Sequence, residues 1–94
     1  MIDLIEYFQT WYKENCDGVW EHFNGIDISN IDNPGWKVAI NGVVEKKEIT
    51  LNVVVDKENW LNITANNSTF LGYCGTKNLK ELLEYAVHWI ENKD

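Results

Sequence analysis

The chain contains no arginine, only two cysteines, and no apolar run longer than stretches such as Val53–Val55. The short runs exclude a bilayer-spanning helix, which needs about 20 consecutive apolar residues. Without arginine, eight lysines stand against fifteen Asp and Glu, leaving a net charge of −7 and a pI near 4.7. Nucleic acid is excluded as a partner class, because phosphate contacts need basic side chains and arginine is the preferred reader of base edges. An anionic membrane surface is excluded for the same reason. A basic protein is the complement. Missing arginine together with twelve asparagines also fits a nucleotide-biased genome, so the surplus of acids is what speaks for function.

No basic region precedes an unbroken apolar stretch at Met1–Glu6, where acids stand instead. The chain is therefore expected in the cytoplasm, with Cys16 and Cys74 as reduced thiols. The glycosylation-type triplets at Asn62, Asn66 and Asn67 then mean only Asn-rich loops. Repeats, low-complexity tracts and linkers are also missing, and 94 residues make one domain, spanning 1–94. At that size roughly 60–65% of the unfolded chain's surface becomes buried.

What is present alternates clearly. Asp3 with Glu6 has the pattern of a capping box, and Leu4, Ile5, Phe8, Trp11 and Tyr12 recur at helical spacing until Asn15–Gly18 stops the run. Period-two alternation follows at Ile26/Ile28, at Trp36/Val38/Ile40, at Ile49/Leu51/Val53/Val55 and at Leu61/Ile63, with a short final strand over Phe70–Tyr73. Asp32-Asn33-Pro34-Gly35 and Asp56–Asn59 supply turns, while Asn41-Gly42 reads either as a turn or as a strand continuing through Val43 and Val44. Asn78 with Glu81 forms a second capping box, ahead of the stripe Leu79, Leu82, Leu83, Ala86 and Ile90 with Trp89 beside it. This order predicts an α+β fold: an antiparallel sheet of four to five strands flanked by an N-terminal and a C-terminal helix.

Motifs for chemistry are sparse. Cys16, His22, Cys74 and His88 are an acceptable zinc set by type, but their spacing contains no CxxC or HxxxH pair, so no metal and no cofactor is expected. Glycine-rich phosphate loops and nucleophile elbows are absent. The competing enzymatic reading is a small hydrolase or metal-dependent enzyme using His22 with Glu21 or Cys74. Of the five tryptophans, Trp11, Trp36 and Trp89 read as core, whereas Trp20 and Trp60, at loop-to-strand boundaries, fit core or interface equally. Asp17, Glu21, Asp27 and Asp32 either form part of a solvated acidic surface or converge on one face that steers a basic partner.

Trp20-Glu21-His22, then Gly25-Ile26 with Ile28, then Asp32-Asn33-Pro34-Gly35-Trp36 resembles the immunity protein 53 family of bacterial polymorphic toxin systems. Trp11-Tyr12 followed by Cys16, and the Leu-rich last helix with Trp89, extend the likeness over essentially the whole chain. The chain departs from the family pattern at Ile31, where Leu is expected, and at Asn41-Gly42, where Asp-Leu is expected. The resemblance implies a small non-catalytic antidote that binds and blocks a cognate toxin domain. Glu21, His22, Asp27, Asp32, Asn33 and Trp36 are the expected partner-binding residues, with the alternative that Asn33-Pro34-Gly35 serves only to shape the turn. The negative charge suggests a basic toxin, such as a nuclease.

Overall fold

The structure, a computed structural model, describes residues 3–92. Helix α1 (Leu4–Asn15) begins where the Asp3 carboxylate accepts the Glu6 backbone N–H at 3.1 Å, one half of the expected capping box. Phe8 and Trp11 are its buried residues, with Leu4 and Tyr7 packed beside them. Ile5 and Tyr12, expected on the same stripe, are instead exposed. The buried seam is narrow because α1 leans on the last helix, rather than lying flat across the sheet.

Residues Trp20–Phe23 form a one-turn helix, α2, where sequence pattern had suggested a loop leading into a strand. Five strands follow: β1 (Ile26–Ile31), β2 (Gly35–Ile40), β3 (Ile49–Val54), β4 (Trp60–Ala65) and β5 (Phe70–Cys74). All neighbours are antiparallel, in the order β1-β2-β5-β4-β3, which confirms the α+β expectation with five strands. The β1–β2 hairpin turns at Asp32–Pro34, whose Asn33–Pro34 peptide is cis. Gly35 follows because a Cβ there would collide with the Cys74 carbonyl of the neighbouring strand. At the other end β2 stops at Ile40, and Gly42 adopts φ +90° close under the Trp20 indole, settling Asn41-Gly42 as a bend.

Helix α3 (Leu79–Glu91) packs on β5 and β2, burying Leu82, Leu83, Ala86, Val87, Trp89 and Ile90. Those side chains meet Val38, Ile40, Leu61, Ile63, Ala65 and Phe70, all from one face of the sheet. The Trp89 indole N–H donates to the Asn66 carbonyl at 3.0 Å, tying the helix to the β4–β5 turn. The buried Lys46 ammonium donates to the Ile90 carbonyl, a cation at the negative end of the helix dipole.

The second expected capping box is absent. Asn78 precedes α3 but its side-chain oxygen accepts the Trp60 N–H at 3.2 Å, while its amide donates to Asn59 at 2.8 Å and Glu81 at 3.0 Å. It joins the helix to the start of β4 instead of capping its own N-terminus.

Candidate functional site

Side chains alternate across a sheet, so the face opposite the helices carries the remaining residues of every strand. The pairing registers align them in rows: Asp27, Ala39, Leu71, Thr64 and Thr50, then Ser29, Lys37, Tyr73, Asn62 and Asn52. Neither of the two long helices packs on this face. It spans four inter-strand spacings, about 19 Å. Trp60 lies on it as well, half-buried, with its ring against Gly35.

One end of the sheet is shaped by α2. The Asp17 carboxylate accepts the N–H groups of Val19 at 2.9 Å and Trp20 at 2.8 Å. Glu21 folds back to accept those of Asp17 and Gly18 at 2.9–3.1 Å. Backbone donors stabilise both charged forms: Trp20 and then Val19 hold Asp17 below its ordinary range, and Glu21 is lowered by its own N–H and by those of Gly18 and Asp17. Two of the four acids expected to steer a partner are thus engaged in building this turn. Trp20 fixes the turn to the body, stacking edge-on against Trp11 at 5.5 Å and donating its indole N–H to the Gly42 carbonyl at 3.0 Å.

With Trp20 turned inward, His22 and Phe23 point out, and Phe23 is 77% exposed. Beside them lies an open groove of about 540 Å³, lined by Glu21, His22, Phe23, Asp27, Asn41 and Leu71 among others. Here the structure brings together Glu21, His22 and Asp27. Asp32 and Asn33 sit at the opposite end of the hairpin, about 17 Å away along β1, both exposed. Trp36 points to the helix side, half-buried, and donates to the Thr76 carbonyl at 3.2 Å. The six residues therefore lie along one hairpin without forming one cluster.

Phe23 is the residue that sequence pattern missed, since a single helical turn has too little periodicity to say which side faces water.

Of the groups in the enzymatic reading, Glu21 and His22 border the same groove, with the Glu21 carboxylate engaged by the Asp17 and Gly18 N–H groups, whereas Cys74 is separated from them. Cys74 is buried at the far end of β5, about 13 Å from Phe70, which borders the groove holding His22. Burial pushes its thiol up to about 11, which keeps it protonated and poorly nucleophilic. His88 is exposed on α3, and both cysteines are free. Among the described residues, no three His, Cys, Asp or Glu side chains converge in a way that could hold a metal ion. Nor is any helix among them long and apolar enough to cross a membrane.

Compared with known proteins, residues 5–91, nearly the whole chain, match the family described as immunity protein 53. No curated protein and no solved structure matches.

Proposed function

We propose that this chain, which belongs to the immunity protein 53 family, binds a cognate toxin domain in the cytoplasm. It blocks that domain by direct one-to-one occlusion, without catalysis of its own. Family membership over residues 5–91 carries this reading. The net charge of −7 favours a basic toxin. A nuclease is the fitting class, because an acidic surface imitates the charge of its substrate.

The docking surface we propose is the helix-free face of the sheet together with the α2 end. Phe23 is an exposed aromatic beside a groove, the kind of anchor that dominates interface energetics. Glu21, His22 and Asp27 surround that anchor, and Asp32 and Asn33 lie at the other end of the hairpin, while Trp36 faces the helix side and lies outside this surface. A stable interface buries about 800 Å² per partner, a patch wide enough to reach both ends.

A toxin gene with a variable C-terminal domain is expected immediately upstream, and co-expression with that domain tests the proposal. Wild-type protein should rescue growth and form a 1:1 complex; well-folded protein that does neither overturns it. Phe23→Ala should weaken the complex by tenfold or more while leaving thermal stability unchanged, as befits a side chain that packs on little of its own chain. Reversing Asp27 and Asp32 to Lys should slow association and flatten its salt dependence.

A further inference from the structure

The two edges of the sheet are the outer sides of β1 and β3. On β3 the direction of each backbone group follows from a single bond. The Val55 N–H donates to the Asn59 carbonyl at 3.0 Å, so residue 55 belongs to a hydrogen-bonded pair. Bonded and non-bonded pairs alternate in an antiparallel ladder. With the observed register, Ile49, Leu51 and Val53 bond to β4, while Thr50, Asn52 and Val54 aim their N–H and C=O groups away from the sheet. The Gly75 N–H, donated to the Trp60 carbonyl at 3.0 Å, agrees, since it directs residue 60 toward β5.

This edge lacks the usual protection. Ile49–Val55 contains no charge, proline or glycine, and Val53, Val54 and Val55 are 41%, 72% and 66% exposed. Natural edges are normally blunted by such residues, because free backbone groups invite another strand.

Charge decides which strand fits. Glu48 immediately precedes the uncharged segment and Asp56 immediately follows it. A second copy, paired antiparallel so that all three outward residues find partners, would be centred on Asn52. Continued outward, that register sets Glu48 opposite Asp56 and Lys47 opposite Lys57, each twice. Like charges directly opposite are destabilising, and two chains of −7 repel at longer range. A strand from a basic protein, with Lys or Arg opposite Glu48 and Asp56 and uncharged or acidic residues opposite Lys47 and Lys57, meets attraction at both ends.

We infer that the outer edge of β3 accepts a basic-flanked extended segment of the toxin as a sixth, antiparallel strand, bonded to Thr50, Asn52 and Val54. This rests on the toxin-binding reading above, and the helix-free face lets one partner reach both β3 and the α2 end. Backbone bonds to the edge supply affinity, and the terminal charges supply register.

The test uses the toxin domain encoded beside the gene. Asn52→Pro removes one outward N–H and no β3–β4 bond. It should weaken toxin binding tenfold or more, with the thermal midpoint shifted by only a few degrees. Val54→Lys, at an exposed position, is the second variant and should act in the same direction. In the wild-type complex, amide exchange at Thr50, Asn52 and Val54 should slow by at least tenfold relative to the free protein. Unchanged affinity in both folded variants, or unslowed exchange at these three amides, overturns strand addition while leaving toxin binding intact. A wild-type protein that binds no toxin defeats the parent reading instead.

Discussion

The two edge strands share a geometry and differ in chemistry. In β1, as in β3, three residues face outward: the Asn41 N–H bonds the Gly25 carbonyl at 3.1 Å, which leaves Ile26, Ile28 and Asn30 directed away from β2. Yet β1 carries Asp27 as the second of its six residues, whereas β3 is uncharged from end to end. A charge that an incoming strand would have to bury is enough to discourage pairing. Both edges offer the same backbone groups, so side chains alone decide which edge is open to a partner.

The core beneath the sheet supports both edges, and the largest effect is expected where they are broken together. Trp89 is almost wholly buried against Phe70, with ring centres 5.6 Å apart, and its indole holds the Asn66 carbonyl. Trp89→Ala should cost about 3–5 kcal/mol in urea unfolding. A loss below about 1 kcal/mol would show that the two halves of the sheet do not share one core.

A smaller effect should fall on one side only. Asn78→Ala strands the Trp60 N–H and removes the links to Asn59 and Glu81, an expected cost of about 1–3 kcal/mol. Amide exchange should quicken at Trp60 while Gly18 and Trp20 stay protected. Equal loosening at both ends would erase the distinction between the two sides.

Acid should act on the opposite side, with the smallest effect. Asp17 and Glu21 have folded-state values below their ordinary 3.8 and 4.5, so their stabilisation is complete above those values. It is lost as pH falls through the lowered folded-state values. NMR exchange at Gly18, Val19 and Trp20 should therefore rise on acidification before that at Trp60, whose partner Asn78 does not titrate. Simultaneous loosening would place the acid-sensitive contacts elsewhere.

Much of this architecture was legible in the residue pattern, and the losses have identifiable causes. The α3 stripe was readable because Leu82, Leu83, Ala86 and Ile90 repeat at helical spacing over a helix pressed flat on the sheet. The same spacing misplaced Ile5 and Tyr12, since α1 rests on another helix along a narrow seam and periodicity carries no information about its width. The Asn78–Glu81 spacing imitated a cap; the Trp60 N–H at the start of β4 gave the Asn78 side-chain oxygen another donor, and tertiary contact won. Around the groove, Glu21, His22 and Asp27 stood out in the sequence, whereas the outward position of Phe23 did not. Its exposure follows from Trp20 being drawn inward by Trp11 and Gly42, contacts 9 and 22 residues distant.

Strand β5 is the last to be made and sits in the middle of the sheet. The chain ahead of it comprises two hairpins, β1–β2 and β3–β4, that share no ladder with each other. A ribosome that has released only the first sixty-odd residues therefore holds two separate ribbons, each with a bare inner margin. Synthesis proceeds at about 5–20 residues per second, so the remaining stretch takes a few seconds to emerge. Until it does, no ladder joins the ribbons, which are linked only by the chain between Ile40 and Ile49, and the helix that seals the core has not been translated. Whatever the finished molecule restrains, it can restrain only once its final third has been made.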